Sequence, residues 1–258
     1  SALDPNELGR VEFEPGHAVI IVKRPKRYSS EDQFLLKVLS VGLFIFKDQL
    51  IILLPEDINP FEGRQFSRIR SIHDLALKII HRCILHFEDH LQVIHNISDE
   101  LEREINRSMA NRHLINMFKL EKSLVYYLNG ISSNGKVIER LKLSGSKLDF
   151  TPDDNEFLED VIIENNQCYE QANTYSQVLS SMMDAWVSLV NNNLNIFIKT
   201  LTLVMICLMV PTLIVNVFSM NLKLPIDQHV SVWPFWLVTA LSVFSVVVIR
   251  FTWHYKKW

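Results

Sequence analysis

Charge is what this chain lacks over its last quarter. From Ile196 to Ile249 the only Lys, Arg, Asp, Glu or His residues are Lys199, Lys223, Asp227 and His229. What remains is apolar, in two runs from Ile196 to Phe218 and from Val232 to Ile249. Each run meets the length needed to cross about 30 Å of hydrocarbon at about 1.5 Å per residue, so each reads as one membrane span. Cysteine is scarce as well. Cys83, Cys168 and Cys207 are scattered, odd in number and without paired spacing, which argues against a disulfide framework and for a reducing compartment. A net charge of -3 leaves no basic footprint for nucleic acid. The sequence also has no nucleotide-binding loop, nucleophile triad or zinc-protease motif, so an enzyme is not expected. Residues 1–10 are polar and lack a basic region followed by an apolar core, so no signal peptide is expected.

What is present is a split chain. Hydrophobic residues make up 48% and charged residues 21% of the sequence, but the average conceals a charge-rich part up to about Asn195 followed by a membrane hairpin. Arg250, Lys256 and Lys257 follow the second run, Lys199 sits at the start of the first, and Lys223 is the only Lys or Arg between the runs. Basic residues accumulate on the cytoplasmic side. The expected placement is a multi-pass protein of the cell (inner or plasma) membrane, with both termini cytoplasmic and the connecting loop outside.

The first residues read as strands in pieces: His17 to Val22, Leu43 to Phe46 and Leu50 to Leu54. The spacing of Phe34, Leu35, Val38 and Leu39 predicts a helix from Glu31 to Ser40, giving a small α/β cap over 1–65. From about Phe66 apolar residues recur every three or four positions, through Ile69, Ile72, Ala76, Ile79, Cys83, Phe87 and Leu91, which predicts cytoplasmic helices over 66–150. A second helix is expected from Asn111 to about Leu143. It would run through Asn129-Gly130 and Asn134-Gly135, pairs that ordinarily mark turns, because the apolar spacing continues across both. Ser144-Gly145-Ser146 is a break. Thr151-Pro152-Asp153-Asp154 then starts a helix with an N-cap, a first-position proline and acids in the first turn. No proline follows until Pro211, so a stalk helix is expected over 151–218, about 100 Å long, becoming the first span at about 196–218. A loop over 219–231, a second span over 232–253 and a basic tail over 254–258 complete the division. A rod of that length needs neighbours, and copies of itself are the economical ones: a homo-oligomer is expected.

One face of the first span is unusual for a helix in lipid. Asn195, Ile198, Thr202, Met205, Met209, Thr212 and Asn216 recur every three or four residues, and the stripe ends near Asn221. Amides and hydroxyls facing hydrocarbon are costly, so they are expected to face protein or water. Interhelical hydrogen bonding would satisfy them; so would a pore. The stripe holds no carboxylate, and a small divalent ion that sheds water reluctantly would pass such a lining while keeping much of its hydration.

Asn195, Lys199, Leu201-Thr202, Met209, Pro211-Thr212 and Phe218-Ser219-Met220-Asn221, with a second span and a basic Lys256-Lys257-Trp258 end, resemble the CorA family of magnesium and divalent-cation transporters. The stretches Glu121 to Tyr127 and Val137 to Leu141 are similar to that family's cytoplasmic helix. The resemblance implies an α+β cytoplasmic domain, a long helical stalk and two transmembrane helices in a funnel-shaped homopentamer set in membrane lipid. It implies that five first spans line the pore through Asn195, Ile198, Leu201, Thr202, Met205, Met209, Thr212 and Asn216. Ser219, Met220 and Asn221, with Asp227 in the loop, would form the ion entrance, Asn221 meeting hydrated Mg²⁺ first. Ser219 stands where the family signature has glycine, a position that tolerates serine only with negative φ or strain. Asp160 and Asp184 take the positions of acids that would bind a regulatory metal between subunits, where crowded carboxylates favour a closed state once a divalent ion neutralises them. Glu88 and Asp89 are candidate partner acids by helix position.

His86 and His90, four apart on one helix, form a speculative transition-metal pair. Trp233, Phe235, Trp236, Trp253 and Trp258 suit interfacial belts. The expected function is a passive, channel-like transporter of Mg²⁺, with Co²⁺, Ni²⁺ or Zn²⁺ as other cargo, gated by cytoplasmic divalent ions. Proton-coupled zinc transport, as in one branch of the superfamily, and a non-conducting scaffold or regulator are the alternatives.

Overall fold

The computed structural model describes residues 4, 7–28, 34–57, 59–61, 63–107, 111–220 and 232–255. The chain divides into two units, Ser1–Trp186 and Val187–Trp258.

The first unit begins with strands β1 (Arg10–Glu14), β2 (His17–Pro25), β3 (Val38–Phe46) and β4 (Leu50–Leu53). They form one antiparallel sheet in the order β1-β2-β3-β4. The β1–β2 hairpin pairs Glu14 with His17, leaving Pro15 and Gly16 as the turn, where Gly16 takes φ 89°. Only glycine adopts that value without cost after a proline whose φ is already fixed. β2 is buried from Ala18 through Pro25, because two helices pack against it: α1 (Ile72–Arg107) and α2 (Asn111–Leu143). Val22, Ile80, Phe87, Leu91, Leu120, Leu124 and Ile131 are essentially inaccessible. Full burial of each such side chain contributes about 1.5–3 kcal/mol.

Two expectations are corrected. The described part of the stretch predicted as a helix over Glu31 to Ser40 is not helical: Val38 to Ser40 pair with Lys23 to Pro25 as the start of β3, and Phe34 takes φ 68°, a left-handed value that a helix does not accept. The spacing of apolar residues there reflects a chain that crosses to the sheet, with Leu36 buried on the way and its N–H donated to Ser123 Oγ at 2.8 Å. The helix expected from about Phe66 starts instead at Ile72. Ser71 caps it, its Oγ accepting from Asp74 N at 3.0 Å, and Ile69 before the cap is exposed. β1, which the sequence reading passed over, buries Val11 on the sheet.

α2 is unbroken through both Asn-Gly pairs. A Cβ on Gly130 would stand 3.0 Å from Phe87 and 3.2 Å from Val38, and one on Gly135 would stand 3.0 Å from the Asn165 amide. Both glycines therefore mark close approach of α2 to its neighbours. Asn134 completes the sheet: it accepts from Lys23 N at 2.6 Å and donates to Lys23 O at 2.8 Å. A short 3-10 turn at Gly145–Lys147 separates α2 from α3 (Pro152–Ser219), one helix of 68 residues. Thr151 and Asp154 cap its start reciprocally, Asp154 N donating to Thr151 Oγ1 at 3.2 Å and Thr151 N to Asp154 Oδ2 at 2.9 Å. Within the first unit α3 buries Leu158, Val161, Cys168, Ala172, Leu179 and Trp186, a stripe at helical spacing.

The second unit holds the rest of α3 and α4 (Trp233–Tyr255). Both helices are long and apolar enough to cross a membrane, and neither apolar stretch is buried within the protein.

Candidate functional site

The spanning part of α3 has two unlike sides. Its half-buried positions are Leu203, Cys207, Val210, Pro211, Ile214 and Phe218, which share one face at about 100° per residue. The half-buried positions of α4 are Pro234, Leu237, Val238, Ser242, Ser245, Val246, Ile249 and Trp253. The predicted stripe lies on the other side of α3, about 180° away on average by the same helical geometry. Asn195, Ile198, Leu201, Thr202, Met205, Met209, Thr212 and Asn216 are all exposed, with Met209 at 69% and Ile198 at 57%. Among the described residues, then, the polar stripe is uncovered, as are the positions flanking it outside the half-buried face.

The hydroxyls on this side are already oriented. Thr202 Oγ1 donates to Ile198 O at 2.8 Å and Thr212 Oγ1 to Leu208 O at 2.6 Å. With its one hydrogen committed to the helix, each oxygen offers only lone pairs outward. Pro211 lies inside the helix, where its missing N–H leaves the carbonyl four residues earlier, that of Cys207, without its helical donor.

At the end of α3, Ser219 is the last helical residue and donates its hydroxyl to Val215 O at 2.8 Å. It is absent from the residues with positive φ. Serine is therefore accommodated without left-handed backbone, and the strain anticipated for a non-glycine at this position does not arise. Met220 is exposed. Asn221 and Asp227 lie outside the described residues.

The acids at the start of α3 have separate duties. Asp154 caps the helix, Asp153 pairs with Arg70, and Glu159 Oε1 stands 2.8 Å from Lys142 Nζ, the hydrogen bond and charge of which hold the Glu159 carboxyl below its usual range. Asp160 and Asp184 are both exposed, and neither enters an ion pair among the described residues. They are not brought together within the chain.

His86 and His90 do meet, their rings 4.5 Å apart and nearly perpendicular. Tyr127 OH lies 2.7 Å from His90 Nδ1. Burial, reinforced by His90, Arg24, Arg82 and Arg27, lowers the His86 imidazole to about 3, and burial lowers His90 as well. Neutral imidazoles suit metal ligation, but the surrounding guanidinium charge opposes a cation. Among the described residues no group of three or more His, Cys, Asp or Glu side chains is placed to hold a metal ion. The arginines around the pair were missed from sequence because Arg24 and Arg27 are far from Arg82 along the chain; the available signal was a charged Lys23-Arg24 pair closing an apolar strand.

Residues 1–254 match the model of a family described as CorA-like Mg²⁺ transporter protein. The chain is 29% identical, over 267 aligned residues, to the cobalt/magnesium transport protein CorA of Methanocaldococcus jannaschii, covering 99% of this chain and 81% of that one. The complete structure of the CorA magnesium transporter from the same organism superposes with a TM-score of 0.83 at 28% identity, covering 98% of this chain and 80% of the other. The soluble domain of that protein gives a TM-score of 0.62 at 25% identity, over 72% and 76% of the two chains. Full-length CmaX protein shares the fold, with a TM-score of 0.70 at 11% identity over 95% and 78%.

Proposed function

We propose, from the premise that this chain belongs to the family of CorA-like Mg²⁺ transporter proteins, that it carries divalent metal cations across a membrane through a pore built from copies of α3. Mg²⁺ is the first cargo and Co²⁺ the second, in keeping with the relative named a cobalt/magnesium transport protein. One observation carries the reading: the amide and hydroxyl stripe of the first span lies opposite the half-buried face and is uncovered among the described residues. In a homopentamer five such stripes would enclose a lumen, with the α4 helices outside.

The chemistry of the stripe suits a hydrated ion. Mg²⁺ holds its octahedral water tightly, and those waters present hydrogens outward. Thr202 and Thr212 oxygens, already donating to the helix, accept from them, as do the amide oxygens of Asn195 and Asn216. No carboxylate in the stripe holds the ion too strongly to leave. Met205, Met209, Ile198 and Leu201 form the apolar constriction, Asn195 the polar ring beneath it, and Asn221 and Asp227 the external entrance with Ser219 and Met220. Both termini are cytoplasmic on this reading. Asp160 and Asp184, exposed and in no ion pair among the described residues, would bind a regulatory divalent ion against a neighbouring subunit, with Glu88 and Asp89 as candidate partners. A helical Ser219 without positive φ is compatible with a conducting pore.

The test is flux into liposomes carrying the full chain, one divalent ion at a time. Mg²⁺ uptake in the wild type that falls at least about tenfold in Asn221→Ala supports the reading, a change of about 1.4 kcal/mol in the barrier. Absence of uptake, or uptake indifferent to that substitution, rejects the assigned pore.

A further inference from the structure

In the first unit a cleft of about 400 Å³ opens between the sheet and α1, and its lining is cationic. Arg24 comes from β2, Arg27 from the segment after it, and Arg82, His86 and His90 from one face of α1. We propose that this cleft binds a small organic phosphate monoester. Nothing in the ion pathway needs three guanidinium groups, and a cation would be repelled by them.

The charge balance supports an anionic ligand. Two carboxylates face the three arginines: Glu56 Oε2 is 3.8 Å from Arg24 Nη2, and Asp89 Oδ2 is 3.5 Å from Arg82 Nη1. Both separations are long for a charge-assisted hydrogen bond, which is normally about 2.7–2.9 Å. Arg24 is 8% exposed, and its Nε donates to Pro25 O at 3.2 Å. A guanidinium taken out of water is costly unless it is closely paired, and burial depresses the ionisation of Arg24 accordingly. An anion in the cleft supplies the missing close partner. The same positive field, with burial, keeps His86 neutral, so both histidines remain able to share hydrogen bonds without adding charge.

Phosphate fits better than carboxylate for a chemical reason. Each guanidinium presents a planar fork of donors that engages paired oxygens, and a carboxylate has two oxygens where a phosphate monoester has three free ones. The organic part has a place too. Tyr28, Leu54, Pro60 and Val93 are among the apolar residues of the lining, and about 400 Å³ lies within the usual range of small-molecule sites, about 300–1,000 Å³. A second, larger cleft of about 660 Å³ carries Lys23, Lys37 and Lys136. Its ammonium groups are point charges without the fork, so it serves as the comparison.

The experiment is isothermal titration of the full chain in detergent, free of divalent metal, with adenosine 5′-monophosphate as probe. Saturable binding is expected, weakened at least about tenfold, or 1.4 kcal/mol, by Arg82→Ala and by Arg27→Ala. Two partly exposed positions are used so that the result does not depend on either variant alone, and Lys37→Ala and Lys136→Ala should leave the affinity unchanged. Any of four results overturns the proposal: no saturable binding, equal binding by both arginine variants, loss of binding in the lysine variants, or equal binding of adenosine without the phosphate.

Discussion

Thr212 illustrates how one side chain acquires a function from the hydrogen bond it has already made. Its hydroxyl donates to Leu208 O, so what it offers outward is an acceptor, the complement of water bound to a cation. Thr212→Val keeps the shape and removes the oxygen. Mg²⁺ flux in liposomes is expected to fall about tenfold, the weight of one lost hydrogen bond to a charged species at about 1.5 kcal/mol. Thr239 on α4 makes the same back-bond, to Phe235 O at 2.9 Å, but off the proposed pore, so Thr239→Val should leave flux unchanged. His86 carries a different consequence. Its native pKa is depressed from 6.5 to about 3 by burial first and then by His90, Arg24, Arg82 and Arg27, so between these values the unfolded chain binds the proton and the native chain does not. Stability from this group is full above about pH 6.5 and is lost as pH falls towards 3, at up to about 1.4 kcal/mol per pH unit. Melting of the full chain in detergent should therefore drop between pH 7 and 5, and His86→Gln should flatten that slope.

Whether a segment's local pattern was readable depended on where its partners lay. α2 was legible through Asn129-Gly130 and Asn134-Gly135 because apolar spacing, which reports burial, outweighed turn propensity; contact with Phe87, Val38 and Asn165 explains why glycine stands there. The stretch before β3 was misread because four apolar residues at helical spacing are equally compatible with a chain entering a sheet, and only pairing with Arg24 and Pro25 decides between them. The stripe on α3 was legible because membrane makes polar residues expensive, so their periodicity stands out. The arginine cleft was not, since the sheet assembles it from distant residues. Asn134 tests the element-level account. Its amide bonds both backbone groups of Lys23, and Asn134→Ala removes two buried hydrogen bonds at about 0.5–1.5 kcal/mol each. A loss of roughly 1–3 kcal/mol is expected in denaturant unfolding of the full chain, whereas Asn129→Ala, at the other Asn-Gly pair, should cost under about 1 kcal/mol.

Among the described residues of a single chain the proposed pore face and the proposed sensing acids are exposed, and the proposed assembly would account for both. Asp160 and Asp184 lie on one continuous helix with Thr212 and Asn216, yet none of these residues completes a site among the described residues of its own chain. If copies surround an axis, the stripes meet one another and the acids meet neighbouring subunits. Carboxylates held close at such a boundary would repel until a divalent ion neutralised them, so on the proposed reading cytoplasmic Mg²⁺ would favour the closed arrangement only to the extent that it bound that arrangement more tightly. Moving a two-state gate from 1:99 to 99:1 needs about 5.5 kcal/mol of differential binding, more than one site ordinarily supplies and within reach of five. Asp160→Ala with Asp184→Ala is therefore expected to keep the oligomer and its Mg²⁺ flux while abolishing the inhibition of flux by Mg²⁺ loaded inside the liposome. The measurement compares initial uptake rates at low and at millimolar internal Mg²⁺, with oligomer size followed by light scattering. If the double variant remains as strongly inhibited as the wild type, the acids have no sensing role. If flux is lost together with the oligomer, the acids act in assembly instead of gating.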